Sequence, residues 1–561
     1  MNEYHGITIS SFNIANFVGY LNNFVGNIKI DASMTQYGQV ESVLMDDEIW
    51  KNNPDFVIIW TLPEMVSSTF SKLMDYEIVD KEQIFREIDL YCQLISKIIK
   101  FVKKAIFIPS WVVPSSYQWL GMLDMKDKIG ISNMLMQMNL RLSKNLENES
   151  NVYILNTQKW IEIVGSNKAF NHKMWYLGKI PFGNEVFKEA AKDIVSDLNG
   201  IEGKAKKLLI VDLDETLWGG VIGDIGMNNL ILGGHDPIGE AFVDFQKSLK
   251  ALTNKGILLG IVSKNEESIA VEALEKHPEM ILRLKDFSGW RINWQDKAYN
   301  IRALAEELNI GLQSIVFIDD NPAERALIRD LLPEVLVPEW PKDKLLYKKS
   351  LNELDCFNNP RISKEDAERT KMYKEENKRK ETKIEISNVE DWLKTLETVV
   401  VVEGLNDSNK NRIIQLLNKT NQMNLSTRRI TENELLIWLS EGKRKLWAFR
   451  VSDKFGASGL TGIISLDIND DNAGQVIDFI LSCRVMGRKI EETMVYFVLE
   501  YAQKIGLTKI YARYLPTVKN KPCFEFWKIN SGFRQEKDMF EFEMTKKYSL
   551  PDCIKLVNKN F

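Results

Sequence analysis

Short apolar runs alternate with stretches of helical periodicity through the first 200 residues of the chain. Three of these runs are short enough to be buried strands: Asp55–Pro63, Lys103–Pro114 and Asn151–Asn156. Residues 80–104 instead carry apolar side chains at helical spacing. Strand and helix in alternation predict a parallel sheet with helices on both faces. We therefore expect a first α/β domain over residues 1–200.

The same alternation returns after a connection rich in Gly and Lys, Gly200–Lys207. An amphipathic helix is predicted over Lys297–Ile310. Buried strands are predicted at Lys207–Asp214, Gly256–Asn265 and Ser314–Asn321. This pattern predicts a second α/β domain over residues 205–345.

The last third of the chain has a different pattern. Residues 346–395 read as a charged helical linker, and we interpret its most charged part, Arg361–Lys383, as a solvated connecting helix rather than a binding arm. Beyond it, residues 396–550 mix helical stretches with several strands and predict an α+β domain. The fold class expected for the whole chain is a multi-domain α/β protein.

Composition narrows the class of protein. The length of 561 residues fits three or four domains. A formal net charge of −5 argues against general nucleic-acid binding, which needs a basic face. No apolar run approaches the roughly 18 residues of a membrane span, and we read no secretory signal at the start. The five cysteines lack zinc-site spacing, so we expect reduced thiols and a cytoplasmic location, with no nucleic-acid or membrane partner.

The stretch LLIVDLDETLWGGVIGD, Leu208–Asp224, drives an apolar strand up to two carboxylates, Asp212 and Asp214. The carboxyl edge of an open parallel sheet is where ligands bind. Two later strands also end in polar residues, Ser263–Asn265 and Asp319–Asn321. Carboxylates gathered at one edge repel each other unless a cation lies among them, and oxygen ligands alone favour Mg²⁺. The sequence therefore predicts a metal-assisted phosphate site.

These elements resemble the four motifs of the haloacid dehalogenase (HAD) phosphotransferase superfamily. The matching segments are DLDET, VSKN, Lys297 and FIDDNPAER. The resemblance implies that Asp212 is the nucleophile and Asp214 the general acid and base. It implies Mg²⁺ bound by Asp212, Asp319, Asp320 and the backbone carbonyl of Asp214. The residues that it assigns to phosphate binding are Thr216, Ser263, Lys264, Asn265 and Lys297.

A longer resemblance extends over most of the chain from about Asn171 to Phe533. The segments LWGGVIGD, INWQDKAYNIRALAEELNIG, NKTNQMNLSTRR, SCRVMGR and PTVKNKP are similar to those of FkbH-like glyceryl transferase/phosphatases. This resemblance implies a specific reaction in polyketide-type biosynthesis. Such enzymes dephosphorylate 1,3-bisphosphoglycerate and load the glyceryl group as a thioester on the phosphopantetheine arm of an acyl carrier protein.

The C-terminal region resembles a GNAT-type acyltransferase fold, in which RVMGRK has the spacing of a pantetheine-binding loop. Arg484, Gly487 and Arg488 are the expected carrier or pantetheine contacts. Cys483 lies beside them, and positive charge and a helix N-terminus would lower its pKa. It is a candidate glyceryl-carrying nucleophile, and an equally weighted alternative is a small apolar residue at a strand end.

The first domain faintly resembles the SGNH hydrolase fold. Its nucleophile would follow the first strand, where Ser10 and Ser11 lie, but the Gly-Asp-Ser turn is absent. His172 lacks the expected acidic partner and reads as an ordinary histidine. We expect a non-hydrolytic domain that docks a partner or closes the substrate site.

Two other functions remain open. One is an Mg²⁺-dependent phosphatase that acts on a soluble small-molecule phosphate, with flanking domains used for assembly. The other is a non-catalytic scaffold for a carrier protein. The intact motif set argues against the scaffold, and the resemblance outside the phosphatase core argues against the simpler phosphatase.

Overall fold

The computed structural model describes residues 3–26, 28–114, 120–360, 375, 379, 382, 388–441, 443–469 and 471–558. Internal packing divides the chain into two compact units. One comprises Met1–Asn199 and Thr431–Ile437, and the other Gly200–Ile430 and Trp438–Phe561. Both contain parallel strands and helices, which confirms the α/β class. The finer division into three domains and a linker stays a prediction.

The first unit is built on five parallel strands in the order β2-β1-β3-β4-β5. Three of them, β3, β4 and β5, lie within the apolar runs that the sequence predicts as strands. The bounds are β1 Glu3–Ser10, β2 Lys29–Met34, β3 Phe56–Trp60, β4 Ala105–Pro109 and β5 Val152–Leu155. The helices are α1 Ala15–Asn22, α2 Val40–Met45, α3 Asp47–Trp50, α4 Pro63–Val66, α5 Ser68–Met74, α6 Lys81–Ile98, α7 Ile131–Leu146, α8 Thr157–Val164, α9 Ser166–Ala169, α10 His172–Gly178 and α11 Asn184–Ile201.

The apolar pattern explains the layers of this unit. Every residue of β3 and β4 is buried, as expected of strands covered on both faces. In α6 the buried Ile84, Ile88 and Ile95 recur at helical spacing, and the Asp80 side chain caps the helix by accepting a hydrogen bond from the Glu82 amide. The apolar pattern of the strands and of α6 thus explains why helices cover both faces of this sheet.

The second unit begins with a four-stranded parallel sheet in the order β8-β7-β6-β9. The strands are β6 Leu208–Val211, β7 Leu258–Ser263, β8 Gly289–Ile292 and β9 Ile315–Ile318. The helices are α12 Ile222–Ile225, α13 Pro237–Asn254, α14 Glu267–Lys276, α15 Lys297–Glu307, α16 Pro322–Leu331 and α17 Tyr347–Asn352. The order places β6 between β7 and β9, the three strands that the sequence predicts.

The rest of this unit is a mixed sheet in the order β16-β17-β15-β14-β13-β12-β10-β18. β14 pairs with β15 in parallel over Ala473–Val476, and the short β11 pairs with the far end of β14. The strands are β10 Thr398–Gly404, β11 Met423–Asn424, β12 Lys443–Asp453, β13 Gly456–Ile468, β14 Ala473–Leu481, β15 Lys509–Arg513, β16 Arg534–Glu536, β17 Met539–Glu543 and β18 Ile554–Asn558. The helices are α18 Val389–Thr395, α19 Lys410–Lys419, α21 Ile490–Lys504 and α22 Lys521–Ile529. Between α19 and α21 along the chain, α20 Glu432–Ser440 belongs mostly to the first unit, which includes Thr431–Ile437.

Most of the predicted charged helix, Arg361–Lys383, lies outside the described residues. Arg379 is described, and its buried guanidinium binds both carboxylate oxygens of Asp453, at 2.7 and 2.8 Å. Among the described helices, none combines the length and apolarity that crossing a bilayer requires.

Candidate functional site

Three strand ends converge at the carboxyl edge of the four-stranded sheet. Asp212 directly follows β6, Ser263 ends β7 and Asp319 directly follows β9. The register pairs Val211 with Ile318, and the Asp212 amide donates a hydrogen bond to the Ile318 carbonyl at 3.1 Å. Adjacent parallel strands therefore bring the predicted nucleophile beside the predicted metal ligand, although the two lie far apart in sequence.

The charges at this edge are concentrated and mostly buried. Carboxylate oxygens of Asp212, Asp319 and Asp320 lie within 4.8 Å of one another. The Lys297 Nζ lies 3.1 Å from Asp212 Oδ2 and 2.6 Å from Asp319 Oδ2. Burial lowers the pKa of Lys297, but the charges of Asp212 and Asp319 raise it to about 12. The ammonium therefore stays protonated and bridges the two aspartates.

This carboxylate cluster, defined as Asp212, Asp319 and Asp320, fits a hard divalent cation. Burial, and then the Asp212 charge, raise the pKa of Asp319 to about 6, and burial also raises the pKa of Asp320. Asp212 Oδ1 is buried and has no hydrogen-bond partner among the described residues. Such orphaned buried oxygens are costly, and the single ammonium of Lys297 is shared between Asp212 and Asp319, so negative charge remains in excess. An oxygen-binding cation such as Mg²⁺ would satisfy both deficits.

The side chain of Asp214 is held apart from that cluster. Its Oδ1 accepts hydrogen bonds from the Trp218 indole at 2.8 Å and the Ile222 amide at 3.1 Å, and its Oδ2 accepts one from Asn265 Nδ2 at 2.9 Å. Burial raises the pKa of Asp214. A fixed carboxyl group with a raised pKa suits the predicted role of proton donor and acceptor.

The other predicted phosphate residues surround the same edge. Thr216 Oγ1 accepts a hydrogen bond from the Asp320 amide at 3.2 Å. Ser263 is buried, and its Oγ accepts a hydrogen bond from Asn265 Nδ2 at 3.4 Å. Lys264 forms an ion pair with Glu324 at 2.6 Å, so its ammonium already has an anionic partner. The structure therefore brings all of them to one place, and their assignment to phosphate binding stays a prediction.

The sequence did not reveal that Lys344 and Tyr347 hold the backbone of the loop that follows Asp212. Glu215 has a left-handed backbone, with φ of 54°, which a non-glycine residue adopts only under constraint. Its carbonyl accepts hydrogen bonds from Lys344 Nζ at 2.7 Å and the Tyr347 hydroxyl at 3.1 Å. Lys344 also lies 3.0 Å from Glu215 Oε2 and 3.9 Å from Asp320 Oδ2. Lys344 is 129 residues beyond Glu215, so no local signal marks it. Trp218 could have been found as an N–H donor four residues after Asp214.

The predicted pantetheine loop makes its contacts with the protein itself. Arg488 is buried; its Nη1 lies 3.0 Å from Asp453 Oδ2, and it donates a hydrogen bond to the Arg484 carbonyl. The Gly487 amide donates to Glu491 Oε1 at 2.8 Å. Burial raises the pKa of Glu491 to about 7. A carboxyl group of the chain thus already binds the amide that a pyrophosphate would contact, and the carrier or pantetheine role of these residues stays a prediction.

Cys483 lies away from the carboxylate cluster. It begins a 3-10 turn, Cys483–Val485, is partly buried and lines a cavity of about 470 Å³ together with Lys207. Lys207 directly precedes β6, whereas Asp212 directly follows it, so the five-residue step between them spans roughly 16 Å at about 3.3 Å per residue. The structure therefore does not bring Cys483 to the phosphate site.

Burial raises the pKa of each of the other four cysteine thiols, to about 11 for Cys92 and about 12 for Cys356. For Cys356, burial contributes more to this shift than the acidic neighbour Asp355. Cys523 and Cys553 shift in the same direction. Burial therefore disfavours the reactive thiolate at all four positions.

In the first unit, both candidate serines serve the fold. The Ser10 hydroxyl donates to the Trp60 carbonyl at 2.8 Å, and the Ser11 hydroxyl accepts from the Leu62 amide at 2.9 Å. His172 is exposed at the start of α10. The non-hydrolytic role and the SGNH-like character of this domain both stay predictions.

Comparison with known proteins adds two findings. Residues 14–198 match the family described as FkbH, N-terminal domain. One similar solved structure is the N-terminal part of the protein BF1531 from Bacteroides fragilis, which contains a phosphatase domain complexed with Mg. That structure is 28% identical, covers 64% of this chain and 96% of its own, and has a TM-score of 0.59. No curated protein matches the chain.

Further solved structures match a quarter of the chain. They include a domain from Methanocaldococcus jannaschii, 16% identical, and a spermidine N-acetyltransferase from Vibrio cholerae in complex with CoA and spermine, 18% identical. Each covers 26% of this chain, and they cover 99% and 96% of their own, with TM-scores of 0.22. Scores of this size do not bear on the fold, so the GNAT-like character of the C-terminal region stays a prediction. The chain is therefore similar to the FkbH N-terminal domain over residues 14–198, and it is similar to a solved structure that contains a phosphatase domain.

Proposed function

We propose that this chain is an Mg²⁺-dependent phosphatase that also transfers a glyceryl group from 1,3-bisphosphoglycerate to the thiol of an acyl carrier protein. The observation that carries the phosphatase part is the orphaned, buried Oδ1 of Asp212. It belongs to a carboxylate positioned by Lys297 on its other oxygen and flanked by the fixed carboxyl group of Asp214. This is the arrangement that nucleophilic attack on a phosphate ester requires.

In the first step Asp212 attacks the phosphorus atom, and the bond from phosphorus to the ester oxygen breaks. Asp214, whose pKa burial raises, acts as the general acid and gives a proton to the leaving oxygen. Asp212 becomes an aspartyl-phosphate and the alcohol departs. In the second step Asp214, now ionised, takes a proton from water, and the resulting hydroxyl attacks phosphorus. Phosphate leaves and Asp212 is restored.

The side chains of Asp212, Asp319 and Asp320, with the Asp214 carbonyl, would hold Mg²⁺. The bound ion would neutralise charge on the phosphate oxygens and so favour attack by an anionic nucleophile. Lys297 orients Asp212 through the 3.1 Å contact between Nζ and Oδ2, while Ser263 and Thr216 offer hydroxyl hydrogen bonds to the phosphate. The chain's own residues thus account for nucleophile, acid and orientation.

The glyceryl transfer needs different chemistry. An acyl phosphate is already activated, so a thiol can attack its carbonyl carbon directly. A carbon–sulfur bond forms, the bond from the acyl carbon to the phosphate oxygen breaks, and the thiol proton leaves with the phosphate or solvent. We propose Cys483 as an enzyme thiol that first accepts the group and then passes it to the carrier. Because Cys483 lines a cavity at the amino end of β6 and Asp212 follows the carboxyl end of β6, transfer and hydrolysis would proceed at separate places.

The proposal is tested by intact-mass spectrometry of a carrier protein after incubation with 1,3-bisphosphoglycerate, Mg²⁺ and this protein. A mass gain of one glyceryl group on the carrier supports the full proposal. Release of phosphate without carrier loading reduces it to a phosphatase for a soluble ester. If neither carrier loading nor phosphate release is observed, only the scaffold function remains.

The Cys483 step has its own test. Cys483→Ala should abolish carrier loading and any glyceryl adduct on the enzyme, while hydrolysis of p-nitrophenyl phosphate continues. Cys553→Ala, at another partly buried thiol, is the matched control. Loading by Cys483→Ala at the wild-type rate would replace the relay by direct transfer from the acyl phosphate.

A further inference from the structure

The cavity beside Cys483 lies within the second unit, at the amino ends of the four-stranded sheet. Lys207 and Ser314 directly precede β6 and β9, and Leu258 begins β7. The opposite wall comes from α19 and from the turn Ser482–Arg484. The cavity of about 470 Å³ is therefore separated from Asp212 by the length of a β-strand. It is a second concave site and not an extension of the carboxylate cluster.

The lining of this cavity carries charge of one sign. Among the described residues that line it there is no Asp and no Glu. Its five cationic residues are Lys207, Arg412, Lys419, Arg484 and Lys519. Like charges around one concave surface repel each other and concentrate positive potential inside it, which favours an anion. The chain as a whole has the opposite sign, with a formal net charge of −5.

Contacts within the protein hold several of these cations in place. Arg412 is only 7% exposed, and its Nε donates to the Leu460 carbonyl at 3.2 Å. Lys419 Nζ donates to Asn359 Oδ1 at 3.0 Å, and Arg484 Nε donates to Ser482 Oγ at 3.3 Å. A fixed guanidinium presents N–H groups in the planar geometry that matches phosphate oxygens. Hydrogen bonds within the protein therefore fix these cations around the cavity, unlike lysine side chains that extend freely from a surface.

The remaining polar lining suits the tail of a ligand. Five carboxamide side chains line the cavity: Asn309, Gln313, Gln415, Asn421 and Gln422. Carboxamides both donate and accept hydrogen bonds, so they match hydroxyl and amide groups. The volume falls within the range of small-molecule sites, about 300–1,000 Å³.

We propose that this cavity binds a phosphate ester with a hydroxyl- or amide-bearing tail. The phosphate would lie among the five cations and the tail along the carboxamides. This inference deepens the proposed function and rests on it, because Cys483 lines the same cavity; the site lies roughly 16 Å from the nucleophile, at about 3.3 Å per strand residue. Two sources share the chemistry, a phosphorylated three-carbon acid and the phosphopantetheine arm of a carrier.

The test is calorimetric titration of the full chain in EDTA, so that no turnover is needed. The probes are 4′-phosphopantetheine and 3-phosphoglycerate, each compared with its phosphate-free counterpart, pantetheine or glycerate. We expect at least one phosphorylated probe to bind at least tenfold more tightly than its counterpart, and more weakly as salt rises. Which probe does so identifies the source. Equal binding of both members of both pairs would overturn the proposal.

Variants assign the binding to the cavity. Lys519→Gln changes an exposed side chain and is not expected to disturb folding. It should lower the affinity for the phosphorylated probe several-fold, and the double variant with Lys207→Gln should lower it at least tenfold. Lys521→Gln, an exposed lysine outside the cavity, is the matched control and should bind as wild type.

Ser263→Ala separates this site from the phosphate site. If Ser263→Ala weakens binding and the Lys207 and Lys519 variants do not, the probe binds at the carboxylate cluster and the proposal is wrong. Since no reaction is measured, a negative result here leaves the phosphatase proposal intact, and failure of carrier loading leaves this proposal intact.

Discussion

The carboxylate cluster and the loop around Arg488 are both charged and buried, but their charges balance differently. The cluster holds three carboxylates beside the ammonium of Lys297, and the nearby Lys344 lies 3.9 Å from Asp320 but closer, at 3.0 Å, to Glu215. Around Asp453, two buried arginines, Arg379 and Arg488, meet the carboxylates of Asp453 and Glu375. The two buried arginines are matched by two carboxylates, whereas the cluster keeps an excess of negative charge. The difference teaches that a charge imbalance, more than the presence of charge, marks a site built for something else to bind.

The largest expected effect is at the unbalanced cluster. Asp212→Asn keeps the shape of the side chain and removes the nucleophilic charge, so hydrolysis of p-nitrophenyl phosphate should fall by about 10³-fold or more. Circular dichroism serves as the folding control. EDTA should stop the wild-type reaction and added Mg²⁺ should restore it. Near-normal turnover by this variant would mean that the carboxylate cluster is not the catalytic site.

The balanced region should respond in stability instead. Asp453→Asn leaves two buried guanidinium groups without their shared carboxylate, which should lower the free energy of unfolding by about 3–5 kcal/mol. Asp467→Asn is the matched control, since Asp467 pairs with Arg444 at a partly exposed position and should cost about 0–1 kcal/mol. Urea unfolding followed by tryptophan fluorescence measures both. Equal losses would mean that the buried network stabilises no more than a surface ion pair.

Glu491, which contacts the loop around Arg488, should make the stability of the protein depend on pH. Its pKa is about 7 in the folded chain and 4.5 when unperturbed, so the folded state binds the extra proton between these values. Wild-type stability should therefore fall as pH rises from about 4.5 to 7. Glu491→Gln should remove this dependence and raise stability at pH 8 by up to about 3 kcal/mol.

Melting temperatures across pH 5–8 measure this effect, and Glu492→Gln next to it is the control. A wild-type curve parallel to that of Glu491→Gln would contradict the buried carboxyl group as its cause.

The smallest expected effect is on the support of Asp214. Trp218→Phe keeps the ring but loses the N–H that donates to Asp214 Oδ1. Loss of one hydrogen bond to a carboxylate costs about 1.5 kcal/mol, or roughly tenfold in kcat/KM. Trp290→Phe removes a similar donor to the exposed Glu267 and should leave kcat/KM unchanged. An equal fall in both variants would point to ring packing instead.

Residues at strand ends could be predicted from the sequence for a physical reason. An apolar run followed by Asp212 or Asp319 marks the carboxyl edge, and neighbouring parallel strands bring such ends together. Lys344 could not be predicted, because its contact with Glu215 depends on tertiary packing across 129 residues. The hydrogen bond from the Gly487 amide to Glu491 could not be predicted either. The motif spacing is the same whether that amide binds a ligand or a side chain of the protein.

The parallel pairing of β18 with β10 has a practical consequence for handling the protein. β18 covers the edge of β10 over five residue pairs, from Thr398 with Ile554 to Val402 with Asn558. A shortened version that ends before Ile554 would leave β10 with unpaired backbone groups along a hydrophobic strand, a template for aggregation. Affinity tags and fluorescent fusions at this end therefore need a flexible spacer after Asn558, so that the last strand can still add to the sheet.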